Sequence, residues 1–144
     1  MAVRSGSAEW RGDLASGAGT VEVGEGVFRG GYSFKSRFEE GEGTNPEELI
    51  AAAHASCFAM ALANILSEGG HPPDSVRASA RVHLRNIEGA PTIAKIDLDV
   101  DAAVPGIDEA GFTEAAQNAK AGCPVSRALA GVPEIALTAR LAAG

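Results

Sequence analysis

The sequence predicts one α+β domain over its 144 residues. Three observations lead there. The stretch Gly43–Glu68, GTNPEELIAAAHASCFAMALANILSE, has the composition and the boundaries of one long helix. Two later stretches, 76–84 and 96–104, alternate apolar with polar or charged side chains, the period of half-buried strands. A second helix signal follows them, in a chain long enough to bury a real core.

The long helix organises the rest. Asn45 is its expected N-cap, Pro46 its first residue, and Glu48 the third-position carboxylate of a capping box. Good helix formers follow without an internal Gly or Pro, until Gly69-Gly70 and His71-Pro72-Pro73 stop the helix. Ile50, Ala53, His54, Cys57, Met60, Ala61 and Asn64 share one stripe at three-to-four spacing. Ala and Leu fill most of the remaining surface. A helix apolar nearly all round is expected to be buried on more than one side: against a sheet, and against a neighbour such as a second copy of the chain.

In chain order, residues 7–14 read as a strand and Gly17–Val23 as its hairpin partner, with a turn at Gly24-Glu25-Gly26. Val27–Glu39 reads as a further strand broken at Gly30-Gly31, presenting Tyr32, Phe34 and Arg37. A polar, Gly-rich loop delivers the chain to the helix. Beyond it, the alternating stretches pair as an antiparallel hairpin across Asn86–Pro91, placing Arg81 opposite Asp97 and Arg77 opposite Asp101 as solvated cross-strand pairs. His83 is expected to be merely exposed on that face. Asp108 caps a helix over Glu109–Ala121, and Cys123-Pro124 opens a short one over Pro124–Ala130. Gly131–Leu141 is a last strand, with Pro133 at its start or on an edge.

Composition narrows the function. A net charge of −7 disfavours nucleic acid as a main partner. No run is expected to cross a membrane, since none combines about 18 apolar residues with freedom from breaks and charge. MAVRSGSAEWRGD holds no apolar h-region, so no secretory signal is expected and the cytoplasm is the default location. Two cysteines 66 positions apart form no disulfide scaffold and lack zinc spacing, and the three histidines form no H-x-x-x-H pair. Neither a GK[ST] phosphate loop nor a G-x-S-x-G elbow is present.

The two cysteines carry the chemistry. Cys123 stands at a helix N-cap, where free amides and the macrodipole favour a thiolate. Cys57 lies about three turns into its helix, beyond the reach of that field, and reads either as a small buried hydrophobe or as a thiol that a cation must activate. Arg29 and Arg37 are the candidate cations, and Glu47 is free to hold one in place. His54, one turn before Cys57, reads either as a packed core residue or as a catalytic base.

The run GTNPEELIAAAHASCFAMAL followed by AGCPVSRAL resembles the OsmC/Ohr family of bacterial thiol peroxidases. AEWRGDLASGAGTV, RFEEGEGTNPEEL and AVPGID extend the resemblance over almost the whole chain, and WRGD, SRFE and HASCF place it nearer the OsmC branch than the organic-hydroperoxide-resistance branch. The resemblance implies antiparallel sheets around a long central helix carrying Cys57, and an intertwined homodimer with its two active sites at the interface. It implies hydroperoxide reduction without haem, flavin or metal. Cys57 in HASCF matches the peroxidatic thiol and Cys123 in AGCPVS the resolving thiol. Arg37 in SRFE matches the activating arginine and Glu47 in NPEEL its carboxylate partner, while Arg29 falls back to a turn-exposed charge. A helix cap also suits a resolving thiol, which reconciles the two readings of Cys123.

On that resemblance the chain is expected to reduce organic hydroperoxides, with hydrogen peroxide a second candidate. The route runs through a Cys57 sulfenic acid and a Cys57–Cys123 disulfide that a dithiol, lipoyl-type compounds among the candidates, reduces. The competing readings are a redox-sensing or apolar-ligand-binding module using the same pair as a switch, and a structural protein with inert thiols. Glu47 and Cys57 are ten residues apart, about 15 Å of rise and about 80° around a straight helix. One arginine hardly bridges them within one chain. Either the helix bends, or the working site takes groups from two chains.

Overall fold

The computed structural model describes residues 2–142. The chain falls into two compact units, one ending at Leu49 and the other starting at Ile50. In the first, β1 (Gly6–Arg11), β2 (Ala18–Val23) and β3 (Phe28–Tyr32) form an antiparallel meander with β2 in the centre. Trp10 and Tyr32 both pair with Gly19, and their rings lie 5.4 Å apart. A Cβ on Gly19 would come within 2.8 Å of the Trp10 ring and nearer still to that of Tyr32, so only glycine lets the two rings meet there.

Three expectations fail in this unit. Gly30-Gly31 does not break the strand, since both residues pair with β2, and Arg29 lies within β3, bonded to Glu22 across the sheet, rather than in a turn. The strand then stops at Tyr32 rather than continuing to Glu39. Arg37 therefore sits on a short helix, α1 (Phe34–Phe38). The cause is a reciprocal serine cap: Ser36 N–H donates to Ser33 Oγ at 3.1 Å, and Ser33 N–H donates to Ser36 Oγ at 2.8 Å.

α2 spans Pro46–Glu68. Asn45 Oδ1 accepts the Glu48 N–H at 2.8 Å, as an N-cap should. The other half of the expected box differs, because the Glu48 carboxylate accepts from the Thr44 hydroxyl at 2.9 Å. Contrary to expectation, α2 is long and apolar enough to cross a membrane by length and composition. Its charges stand only at its ends, at Glu47, Glu48 and Glu68. The helix of a protein core has the same profile when its own chain and a neighbour cover it.

In the second unit, β4 (Ser75–Ile87), β5 (Ala90–Ala103) and β6 (Glu134–Leu141) form a sheet with β5 central. β4 and β5 are the expected hairpin, with Arg77 opposite Asp101 and Arg81 opposite Asp97. β6 runs parallel to β5, reached through α3 (Glu109–Gly122) and α4 (Pro124–Ala128). α4 and β6 are shorter than expected, and Pro133 stands just before β6, an edge strand where its missing N–H costs no ladder bond.

The core joins Phe58, Leu62 and Leu66 of α2, Leu98, Val100 and Ala102 of β5, and Phe112, Ala116 and Ala119 of α3. The outer sheet face is ionic. Arg140 bonds both Asp99 and Asp101. Asp97 gathers His83 at 2.6 Å, Lys95 at 3.3 Å and Arg81 at 3.5 Å, and His83 first, then Lys95, hold its carboxyl below the usual range. His83 is thus half-buried and paired, not simply exposed.

The burial of α2 is one-sided. His54, Phe58, Leu62 and Leu66, each four residues apart, are buried, whereas Ala53, Met60 and Asn64 of the expected stripe are exposed and Cys57 and Ala61 are intermediate. The chain itself thus fills one of the two sides that the apolar composition calls for.

Candidate active site

The first group of candidate residues is built on α1 and the start of α2. Ser36 Oγ donates to the Thr44 carbonyl at 2.7 Å, and Asn45 Nδ2 donates to the Ser36 carbonyl at 2.9 Å. These bonds tie α1 to the entry of α2 and bring Arg37 to Glu47. Arg37 Nη2 donates to Glu47 Oε1 at 2.7 Å, and Nε donates to the two carboxylate oxygens at 3.1 and 3.2 Å. Such a fork fixes the guanidinium plane as well as its charge. Glu47 is buried and Arg37 is not. The hydrogen bond to Glu47 raises the already high pKa of Arg37. The Arg37 guanidinium also stacks 5.2 Å from the Phe38 ring centroid.

Arg37 borders a mainly apolar cleft of about 430 Å³, with Trp10, Leu14, Tyr32, Phe34 and Phe38 among its walls. Tyr32 and Phe34 stood out in the sequence only as aromatic residues near Arg37. Trp10 carried no such signal beyond its place in WRGD. The pair with Glu47 forms within one chain, so this contact itself needs no second copy.

The second group is built where α2 meets the α3–α4 junction. Cys123 is the N-cap of α4, as the sequence indicated, and its Sγ accepts the Ser126 N–H at 3.3 Å. Cys57 and Cys123 are both free thiols, and Cys123 is near enough to influence the Cys57 thiol. Burial pushes the Cys57 thiol up, the Val125 N–H pulls it down, and the Cys123 thiol pushes it up again. Cys123 is buried and Cys57 only half-buried. His54 is buried, with Nε2 2.7 Å from Ser126 Oγ. Ser126 also accepts a hydrogen bond from the Cys123 thiol at 3.1 Å. The sequence motif contained Ser126 without giving it a task; its signal was its place three residues after a capping cysteine.

Among the described residues, no three or more His, Cys, Asp and Glu side chains converge as a metal site. The chemistry on offer is that of two adjacent thiols and of an arginine held rigid beside an apolar cleft.

The chain is similar to known proteins over most of its length. The family described as OsmC-like protein matches residues 39–138. Peroxiredoxin OsmC of Escherichia coli (strain K12) is 49% identical over 127 residues, 88% of this chain and 89% of that protein. The organic hydroperoxide resistance protein of Xanthomonas axonopodis pv. citri (strain 306) is 33% identical over 99 residues, 68% of each chain. Among solved structures, the organic hydroperoxide resistance protein OhrB of Bacillus subtilis superposes with a TM-score of 0.68 at 25% identity, covering 96% of this chain and 98% of its own. An OsmC like protein from Mycoplasma pneumoniae shares the fold at 14% identity, with a TM-score of 0.76 and 99% of each chain covered.

Proposed function

Because the chain belongs to the OsmC-like family, we propose that this thiol-dependent peroxidase works through Cys57 and Cys123 on organic hydroperoxides. The observation that carries the reading is the pair of neighbouring free thiols of unequal access. A peroxide reaches a half-buried thiol more readily than a buried one, which favours Cys57 for attack and leaves Cys123 to resolve. Access therefore outweighs the helix-cap preference for Cys123.

The Cys57 thiolate attacks the distal peroxide oxygen. The O–O bond breaks, the alkoxide takes a proton and leaves as the alcohol, and Cys57 becomes a sulfenic acid. Cys123 then displaces hydroxide to form the disulfide. A dithiol returns both sulfurs to thiols and is itself oxidised; a lipoyl-type compound fits that role, and the reduced cytoplasm is the fitting setting. The cleft beside Arg37 suits an alkyl group.

Burial opposes the Cys57 thiolate, so a cation must supply the activation. Arg37 is that cation, and Glu47 fixes it. Glu47 lies ten residues before Cys57 on α2, about 15 Å along the axis and about 80° around it. An arginine gripping Glu47 therefore serves the Cys57 of a second copy. A homodimer brings the two groups together, and its interface uses the exposed apolar side of α2.

The test is an anaerobic thiol count after one equivalent of cumene hydroperoxide, followed by turnover with excess dithiothreitol. Wild type should lose both thiols and turn over; Cys123→Ser should oxidise at Cys57, and Cys57→Ser should stay nearly inert. Fast reaction of Cys57→Ser through Cys123 would reverse the roles. A single oxidation that does not turn over would make the pair a switch rather than a catalyst.

A further inference from the structure

His54 is the buried residue that this mechanism leaves unused. Among the described residues, its Nδ1 is the one buried side-chain nitrogen or oxygen without a hydrogen-bond partner. Leaving such a group unpaired is costly, and an apolar residue on this Ala- and Leu-rich helix would avoid the cost. Its other nitrogen is fully engaged. Nε2 lies 2.7 Å from Ser126 Oγ, and Ser126 Oγ in turn accepts the Cys123 thiol proton at 3.1 Å. A serine hydroxyl has one proton. With the thiol donating to it, that proton is available to Nε2, in the tautomer whose imidazole proton sits on Nδ1.

We infer that His54 is the proton acceptor for the resolving thiol, acting through Ser126 to deprotonate Cys123 as it attacks the Cys57 sulfenic acid. The step balances without an outside reagent. The Cys123 proton moves to Ser126 Oγ while the Ser126 proton moves to His54 Nε2. The Cys123 sulfur pair forms the S–S bond, and the Cys57 S–O bond breaks with its electrons on oxygen. The departing hydroxide takes a proton back along the same chain and leaves as water. One sulfur is oxidised and the other reduced by equal amounts. In this scheme Ser126 touches the reacting sulfur and is catalytic, and His54 acts through it as a positioning residue.

The surroundings keep the imidazole ready. Burial lowers its pKa, and no carboxylate or cation adds to that cause, so the ring is neutral and free to accept. The titratable groups near it are Cys123, through Ser126, and Cys57 one turn along α2.

This inference rests on the Cys57–Cys123 assignment, and one experiment tells the two apart. Reduced homodimeric protein is mixed with one equivalent of cumene hydroperoxide and quenched in acid at intervals. Intact mass then separates thiol, singly oxygenated and disulfide forms. In His54→Gln the first oxidation should run at the wild-type rate, while disulfide closure slows by about a hundredfold and the oxygenated form accumulates. Ser126→Ala, a smaller change that leaves the imidazole in place, should show the same split. The wild-type closure rate should also fall as pH drops through the lowered pKa of the buried imidazole, where imidazolium forms, and both variants should lose that inflection. If wild type forms no disulfide, the assignment of the two cysteines fails. If wild type forms it and both variants close at the same rate, the relay is refuted.

Discussion

Met60→Glu tests the homodimer that the proposed activation of Cys57 requires. Met60 is 75% exposed in the chain although it lies in the middle of an apolar helix. Ala52, Ala53, Ser56 and Asn64 share the exposed surface of α2 and are short enough for a second backbone to approach. Complete burial of a methionine is worth about 1.5–3 kcal/mol, so covering the exposed three quarters is worth about 1–2 kcal/mol. A two-fold interface counts it twice, about 2–4 kcal/mol. The carboxylate loses that and must also be desolvated. The dimer dissociation constant should then rise by at least about a hundredfold, at 1.4 kcal/mol per tenfold. The fold of each chain should be nearly untouched, since an exposed substitution shifts stability by about 0.5 kcal/mol or less. Sedimentation equilibrium on both proteins measures the constant, with urea unfolding as the control. A wild-type monomer, or a variant dimer as tight as wild type, refutes the placement of this helix side in an interface.

Two further outcomes follow from the site. Arg37→Lys keeps the charge but loses the fork made by Nε and Nη2 on Glu47, so the second-order rate with cumene hydroperoxide should fall by about ten- to a hundredfold; stopped-flow rates equal to wild type would remove Arg37 from the site. His54, buried and lowered in pKa, is neutral in the folded chain and protonates in the unfolded one. Its share of stability is therefore complete above about pH 6.5 and is lost as pH falls through the lower folded value, at no more than about 1.4 kcal/mol per pH unit. Urea unfolding of wild type and His54→Gln at stepped pH should show the slope in the first and a weaker slope in the second.

Where one interaction dominates locally, the fold was legible. Period two gave the β4–β5 register down to Arg81 opposite Asp97, because a slip by one residue would turn every apolar side chain outward. Asn45, Asp108 and Cys123 cap the helices that follow them, since orphan amides accept the nearest side-chain acceptor. What stayed hidden depends on partners distant in sequence. The α1 turn rests on two serines that compete with a strand-like aromatic pattern. The buried line of α2 is set by the sheet it covers, which helix periodicity on a helix apolar all round cannot select. Ser126 meets His54 across 72 positions of chain, so no local spacing announces their contact. The motifs around Cys57, Cys123, Arg37 and Glu47 named those residues without their geometry.

The position of Cys57 on α2 is the reason the two proposed oxidative steps should depend on different neighbours. His54 and Phe58, beside it in sequence, point into the core of its own chain, while Met60, three residues on, is open. The sulfur therefore stands at the border between a sealed side and an uncovered one. On the sealed side it meets Cys123, whose proposed proton route to His54 runs through Ser126. On the open side its own chain offers burial as the largest influence, and burial opposes the thiolate. Attack on peroxide should then respond to what the second copy brings, and closure of the disulfide to what the chain itself contains. Met60→Glu and Arg37→Lys belong to the first step and His54→Gln to the second. In the proposed mechanism a lone chain holds its thiols as poorly reactive neighbours, and assembly with a second copy activates Cys57.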